Sequence, residues 1–510
     1  MGLHAVNVRS GPRPGVGRSA PHYTVRGTFA RNIQYPTAML SDTLLGAMVL
    51  AIPCVCAAQP GTLDPTFVPG AVVGTPMCIA VQPDGRILVG GNFYTWDGAQ
   101  HTLLARVNAD GALDTSFPGG GNAGSYVASL ALQPDVKILV GGEFSEYLGD
   151  PGNGIVRLNT DGSVDTGFDP GSGVSGLSID VRGIVLQPDG KAVLCGNFTG
   201  YNGTPRNYIV RINGNGSLDA TFNPGTGFDG ATNAIQRQPD GKLLVAGEFN
   251  SFNGTTRHRI ARLNTDGSLD PSFDPGTGPD DLVASMALLP SGKILIGGSF
   301  TQYSTIPCGH FARINAAGSY DFTYMVGTSA NWHVYEILPQ ADGKCVIAGD
   351  FTAYSGTDCS YIARVDEYGL PDNTFEIGSA ANDHVSAAAL QPDGKILIGG
   401  PFTSYDGAAR THLARINGGD AIGFDEMEGE HRGPLIAPNP SDGLFAVRDM
   451  PNDVLFADVI APDGRVVLHL SGPACRNLRV LDLGAQPTGC YSLVLGTAAQ
   501  AYRETLVKTR

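Results

Sequence analysis

Charge is scarce in this chain: Asp, Glu, Lys and Arg make up 16% of its 510 residues, against roughly 25% in an average globular protein. What charge there is leans acidic, to a formal net value of −15, which excludes nucleic acid as a partner because phosphate binding needs a basic surface. No apolar run reaches the roughly 18 residues that cross a bilayer, so no transmembrane span is expected. Long apolar stretches of helical period are missing too, which excludes a helical bundle. There is no Cys-x-x-Cys, no Cys/His cluster, no Gly-x-Ser-x-Gly elbow and no His-Glu-x-x-His, so neither a metal nor any other cofactor is expected. What is abundant is glycine, 70 residues, with 34 prolines and 42% hydrophobic residues. That mixture specifies many short strands joined by tight turns.

The chain opens with an address. Residues 44–58, LLGAMVLAIPCVCAA, are uncharged, mostly apolar and closed by small residues, the h-region and cleavage site of a secretory signal with Ala57 or Ala58 as the last residue removed. The 38 residues before Met39 hold five arginines and no acid; either they are a long n-region or Met39 is the start. Residues 1–58 are therefore set apart as an N-terminal extension and signal peptide. Cys54 follows Pro53, which suits lipoprotein processing poorly. Seven cysteines outlast cleavage, an odd number that leaves at least one unpaired; Cys475 and Cys490 are the best candidates for a disulfide.

One unit fills the middle. Gln-Pro-Asp-Gly or a variant starts at Gln82, Gln133, Gln187, Gln238, Leu289, Gln340 and Gln391, at intervals of 51, 54, 51, 51, 51 and 51 residues. Each copy divides into four strand-length pieces, with Pro-Asp-Gly as hairpin chemistry between the first two. Seven such copies predict an all-β, seven-bladed β-propeller of four-stranded blades over residues 59–424, its core spread between neighbouring blades. Phe stands eleven residues into every copy, and another aromatic three further on: Trp96, Tyr147, Tyr201, Phe252, Tyr303, Tyr354 and Tyr405. Sevenfold recurrence assigns these to packing between blades rather than to a sugar-stacking surface.

The third strand always carries Arg: Arg106, Arg157, Arg211, Arg262, Arg313, Arg364 and Arg415. Eight residues later stands Asp114, Asp165, Asp219, Asp270, Asp321 or Asp372, but Gly423 in the last copy. An orphan segment, GTLDPTF at 61–67, precedes the first copy and supplies Asp64, making seven carboxylates for seven guanidinium groups. The expectation is an internal ion pair in each blade, with the mature N-terminus closing the ring at the last one and removing its open edge. The unit V-x-x-L-x-QPDGK-ILVGG-x-F followed by xARLN-x-DGSLDxxF resembles the delta-sixty repeat propellers of bacterial surface proteins. That resemblance implies the propeller fold and transfers no catalytic residue.

An acidic linker at 425–433 leads to a different module at 434–510, read as a small β-sandwich from alternating runs such as VLFADVI, RVVLHL and YSLVLG. Its sequence of Pro438, Asn439, Pro440 and Gly443, then Asp463 and Gly464, Asp482, Gly489, Tyr491 and Lys508 resembles the C-terminal sorting domain of type IX secretion substrates in Bacteroidota. The resemblance implies the type IX machinery as a partner, passage through the outer membrane, and a protein secreted or held on the cell surface.

Two Gly-x-Gly-x-x-Gly matches, at 171–176 and 225–230, open no helix and are loops. Asn264-x-Asp266-Gly267-x-x-Asp270 is read as an Asx-type turn rather than a calcium loop, because other copies carry Asn215, Ala317 or Tyr368 in place of Asp266. Variable loops on a rigid scaffold are where binding sites sit, so residues there that break the repeat are the candidates: Tyr126, Asp180, Asp280, Asp281, Trp332, His333, Asp383 and His384. His333 and His384 share a repeat phase in adjacent copies and are expected near the axis. Two functions follow. The favoured one is a monomeric extracellular binding or scaffold protein contacting protein or polysaccharide through its variable rim, with no catalytic residue assigned. The alternative is a propeller-fold hydrolase or lyase acting on polysaccharide.

Overall fold

The computed structural model describes residues 59–120, 125–419 and, in the C-terminal region, 435–437, 444–448, 456–460, 466–471, 480–483, 485–487, 489–496 and 501–508. These residues are all-β, with no helix. The N-terminal extension and signal peptide, the acidic linker, and Pro438, Asn439, Pro440, Gly443, Asp463, Gly464 and Cys475 lie outside them. Residues 59–419 form seven repeated units, consistent with a propeller.

The fifth unit shows how sequence becomes structure. Val283–Leu288 pairs with Ile294–Gly298, which pairs in turn with Phe311–Ile314, all antiparallel. Between the second and third strands, Gln302–Tyr303 and Ile306–Pro307 make a short hairpin. The second strand is buried at every position, so it reads as an unbroken apolar run rather than an alternation. The fourth piece differs from expectation. It is not a strand but a single bridge, Ile314 to Tyr320, and the same holds in the other units. The cause is the aspartate that follows. One carboxylate oxygen of Asp321 accepts the N–H of Thr323 two residues on, at 3.1 Å, an Asx-type turn that takes the chain out of the ladder at once. The recurring aromatics are interior: Phe93 and Phe300 are 0% exposed, as are Trp96 and Tyr303. Tyr201, Tyr354 and Tyr405 anchor their hydroxyls on glycine carbonyls of tight turns, at 2.6, 2.9 and 2.7 Å.

Every third-strand arginine makes three contacts. Its Nε donates to the aspartate eight residues on, at 2.6–2.8 Å in six units, and in the seventh Arg415 pairs with Asp64 at 2.7 Å. Its guanidinium carbon sits over an aromatic ring, Arg106 over Phe117 at 4.5 Å and Arg415 over Phe67 at 4.7 Å. Its Nη1 donates to a carbonyl in the next unit, Arg211 to Thr265 at 2.6 Å and Arg262 to Ala316 at 2.7 Å. From the seventh unit Arg415 reaches Ala109 in the first, at 2.6 Å. A second cation from the Pro-Asp-Gly-Lys turn meets the same oxygen, as Lys242 does on Asp270 at 2.8 Å and Lys395 on Asp64 at 3.0 Å. Burial alone would raise these carboxyls. Hydrogen bonds from lysine, arginine and the neighbouring Ser or Thr more than offset it, holding Asp114 and Asp372 at about 2 and Asp64 and Asp270 lower still.

Residues 61–64 lie along the last unit: Leu63 bridges Ile416, the Asp64 N–H donates to the Arg415 carbonyl at 2.8 Å, and the Asn417 N–H to that of Thr62 at 2.8 Å. Phe67, Ile87, Val89 and Phe93 share one apolar cluster with Leu397 and Leu413 of the seventh unit.

The C-terminal module is two antiparallel sheets. Leu435–Ala437, Leu444–Arg448 and Val480–Asp482 form one; Val466–Ser471, Phe456–Ile460, Gly489–Gly496 and Ala501–Lys508, in that order, form the other. Ala457, Val459, Leu481, Tyr491 and Leu493 are buried between them, and the Tyr491 hydroxyl donates to the Pro487 carbonyl at 2.6 Å.

Removing one member of a buried pair costs about 3–5 kcal/mol. Asp64→Ala is therefore expected to lower the urea midpoint about as much as Asp270→Ala, despite lying hundreds of residues from its arginine in sequence; a silent Asp64→Ala would show that residues 61–67 contribute nothing to the last unit. The depressed carboxyls stabilise the fold above the ordinary carboxylate value of 3.8, and that stability is lost as pH falls from there through about 2. In an acid titration of stability, Asp270→Ala should flatten that fall.

Candidate functional site

The first strands of the units surround one cavity of about 750 Å³. The residue five places before each tetrad lines it: Met77, Ala128, Arg182, Asn233, Ala284, Tyr335 and Ser386. Thr75, Asn92, Tyr94 and His384 complete the wall. Six of the seven are presented by a β-bulge, for the ladder skips a residue between Pro76 and Cys78, and likewise at Ala128, Arg182, Asn233, Ala284 and Tyr335. A bulge re-aims the extra side chain. The glycine that stands two places before the recurring Phe in every unit makes it possible. A Cβ on Gly298 would fall on the Leu282 carbonyl oxygen, and one on Gly349 on that of His333. Only glycine lets the first strand come this close.

The wall is repetitive in position and irregular in chemistry. On one side Arg182 donates from Nε to fully buried Asp180, at 2.6 Å, and from Nη1 to Asn233 at 3.0 Å and Glu248 at 3.3 Å. Tyr126 lies near Asp180; burial and that carboxylate together push the phenol well above its ordinary range. On the other side Asp350 is the centre. Its Oδ2 accepts the Tyr335 hydroxyl at 2.5 Å, with His333 Nδ1 at 3.9 Å and His384 Nδ1 at 3.6 Å from the carboxylate. Asp383 holds His384 through the backbone N–H at 2.7 Å and Nδ1 at 3.1 Å. Trp332, 54% exposed, stacks on His333 with ring centroids 5.0 Å apart, and His310 closes on His333 edge-on at 5.5 Å.

Of the eight residues singled out in the sequence, the structure thus places Tyr126 with Asp180, and Trp332, His333, Asp383 and His384 around Asp350. Asp280 and Asp281 join neither group. Asp280 accepts the N–H groups of Thr301 at 2.8 Å and Gln302 at 3.0 Å, and Asp229, Asn331 and Asn382 do the same in other units. It is a loop clamp of the repeat. Asp281 accepts the Leu282 N–H at 2.7 Å. Sequence reasoning passed over Tyr335, Arg182, Asp350 and Glu336. Asp350 stands between the recurring Gly and Phe, where other units carry Asn92, Glu143, Asn197, Glu248 and Ser299 and the seventh Pro401; polar residues in six of seven units beside an invariant buried Phe were the available signal.

Glu336 follows Tyr335 on the first strand of its unit. Its side chain has no ion pair or hydrogen bond among the described residues, and it is only partly exposed. Desolvation pushes it from 4.5 up to about 8. Burial pushes the Cys78 thiol up to about 12, and the charge of Glu336 adds to that. Cys78, Cys195, Cys308, Cys345 and Cys359 are all free thiols. No group of three or more His, Cys, Asp and Glu among the described residues is arranged to hold a metal.

A raised acid pKa destabilises the fold increasingly from the unfolded value upward, so the penalty grows between pH 4.5 and about 8. Glu336→Gln should leave stability unchanged in acid and raise it at pH 8 by about 1–3 kcal/mol, the usual cost of an uncompensated buried polar group. Parallel urea unfolding across that range measures it; a destabilised variant at pH 8 would mean the carboxylate has a partner.

The family described as "Domain of unknown function (DUF5122) beta-propeller" matches residues 82–117, 133–168, 187–222, 238–273, 289–323, 340–375 and 391–420, one match on each unit. No curated protein matches the chain. Among solved structures it is similar to the extracellular domain of a hybrid two-component system from B. thetaiotaomicron, at 11% identity and a TM-score of 0.39 over 85% of this chain and 55% of that one, so it spans about half of that protein's length. It is also similar to a gluconolactonase from Xanthomonas campestris, at 12% identity and a TM-score of 0.35 over 71% of this chain and 99% of that one. The chain is a β-propeller repeat protein, with seven units of the family's repeat in tandem.

Proposed function

We propose that this protein is an exported binding module that contacts extracellular protein or polysaccharide at the axial mouth of a seven-bladed propeller. One observation carries the reading: every unit contributes the same position to one cavity, and that position, otherwise free to repeat, holds Met, Ala, Arg, Asn, Ala, Tyr and Ser. A scaffold whose outer strands are nearly identical has diversified the one place where all seven units meet, which is the pattern of a site grafted on a fold. In this reading residues 61–67 close the ring, supported by the Arg415–Asp64 pair and the Arg415–Ala109 hydrogen bond. The apolar run at 44–58 supports export from the inner compartment, and the two-sheet C-terminal module with its Asp482, Gly489 and Tyr491 supports type IX sorting and a place outside the cell.

A glycan and protein array probed with the purified full chain tests the proposal. Binding that is lost in Tyr335→Ala and Arg182→Ala supports it, and binding unaffected by both moves the site off the axis. The enzymatic alternative has one observation in its favour, because Glu336 is a carboxyl held protonated at neutral pH, as a general acid is. Polysaccharide cleavage that disappears in Glu336→Gln would replace binding with catalysis. On washed cells, full-length protein with an intact C-terminus would count against the sorting role.

A further inference from the structure

We propose that the rim of the sixth unit is a saccharide subsite, where the exposed indole of Trp332 stacks on a pyranose ring and the aromatic side chains behind it lead the sugar chain to the axial cavity. The inference deepens the binding reading above by naming polysaccharide as the occupant, and it rests on that reading. The repeat supplies its own control. Aromatics that recur in every unit are interior, Trp96 and Tyr303 at 0% exposure among them, whereas Trp332 recurs in no other unit and is 54% exposed. At its phase the other units carry Gly74, Ser125, Ile179, Gly230, Asp281 and Asp383. Six units fold without an aromatic ring there, so the indole is not needed to hold the seventh.

Trp332 is the outer end of a track. It stacks on His333 at 22° with ring centroids 5.0 Å apart, His333 meets Tyr335 at 6.1 Å, and Tyr335 meets His384 at 6.2 Å. Tyr335 and His384 line the cavity, so the four rings run from solvent to the axis. His333 covers one face of the indole and His310 approaches it tilted at 6.1 Å, yet more than half of Trp332 still faces solvent. A pyranose suits such a platform. Its C–H bonds, polarised by the neighbouring oxygens, are drawn to the negative face of an aromatic ring, and its hydroxyls need partners close by. The carboxylates beside the track supply them. Asp350 takes only the Tyr335 hydroxyl, its imidazole neighbours standing at 3.6 and 3.9 Å, beyond hydrogen-bond distance, and a carboxylate has room for several donors. Asp383 commits one oxygen to His384 and is half-exposed. Across the cavity the Nη2 of Arg182 has no partner among the described residues, a donor for a sugar oxygen further along the chain. A tryptophan that anchors a protein partner sits among apolar neighbours that exclude water; this one is ringed by imidazoles and carboxylates.

Tryptophan fluorescence reads the site directly, because the chain has two tryptophans and Trp96 is fully buried. Acrylamide quenching of the full chain is measured with cellohexaose, mannohexaose, maltohexaose and hexagalacturonate, and with every glycan that binds on the array. At least one is expected to shield Trp332 saturably. Calorimetry with that glycan should show roughly threefold to tenfold weaker binding in Trp332→Ala, largely restored in Trp332→Phe, with the urea midpoint unchanged in both. Tighter binding of hexagalacturonate than of the three uncharged chains assigns an acidic sugar to the subsite, and the reverse a neutral one. A glycan that binds without shielding Trp332, or equally well in Trp332→Ala, overturns the subsite and leaves the axial binding reading standing. Binding of array proteins with no glycan overturns the saccharide assignment alone; if nothing binds in either format, both fail.

Discussion

The contact on which the rest depends is the one between each third-strand guanidinium and its aspartate. Three short strands and a single bridge are too little to bury a core, so each unit is held by its neighbours. The arginine is where the two kinds of holding meet. One nitrogen fixes the turn that ends its own unit, another grips a carbonyl of the next, and the plane of the head covers an aromatic ring. A buried charge of this sort is costly unless every donor is answered, and here both the carboxylate and the carbonyl answer. The second cation from the hairpin turn keeps the carboxylate ionised well into acid. Because the arginine of the last unit finds its carboxylate in residues that precede the first, the same contact that repeats along the chain also ties residues 61–67 to the last unit.

At the axis the controlling constraint is steric. The glycine two places before the recurring Phe has no space for a Cβ, since the carbonyl of the first strand lies where it would be. That approach is what forces the bulge, and the bulge is what turns one side chain per unit into the cavity. Outer positions are thus locked into repetition by the clasp, while the inner position is fixed only in direction. It is free to vary in chemistry, and it has: Arg182 and Asn233 sit on one side and Tyr335 on the other.

This division explains what was legible in the sequence. The clasp could be read because its two members stand a constant eight residues apart, and because the missing partner of Arg415 reappears as Asp64 in a displaced copy of the same segment. The aromatic positions could be read as interior for the same reason of recurrence. Asp280 reads as a break in the repeat, yet Asp229, Asn331 and Asn382 occupy its phase and present the same oxygen to the same pair of N–H groups; an Asp/Asn alternation is a clamp, because only one carbonyl-type oxygen is needed. The axial residues were hidden for a different reason. A bulge inserts one residue into a period-two pattern, so alternation gives the wrong face for Arg182 and Tyr335, and only the paired strands reveal which residue is skipped. The fourth strand, expected as a short piece around LDxxF, shrinks to one bridge because the aspartate that makes the clasp also makes the turn.

Glu336 then stands out as the residue that repetition would not have produced. Its counterparts in the other units are Cys78, Ser129, Gly183, Ala234, Ser285 and Ala387, small or weakly polar groups that suit a narrow space between first strands. Ser129 shows the ordinary solution, its hydroxyl donating to the Val181 carbonyl of the adjoining unit at 3.2 Å. A glutamate can make no such bond when ionised, and when protonated it forfeits the charge that distinguishes it from glutamine. Its presence weakens the fold without any compensating contact in the protein itself.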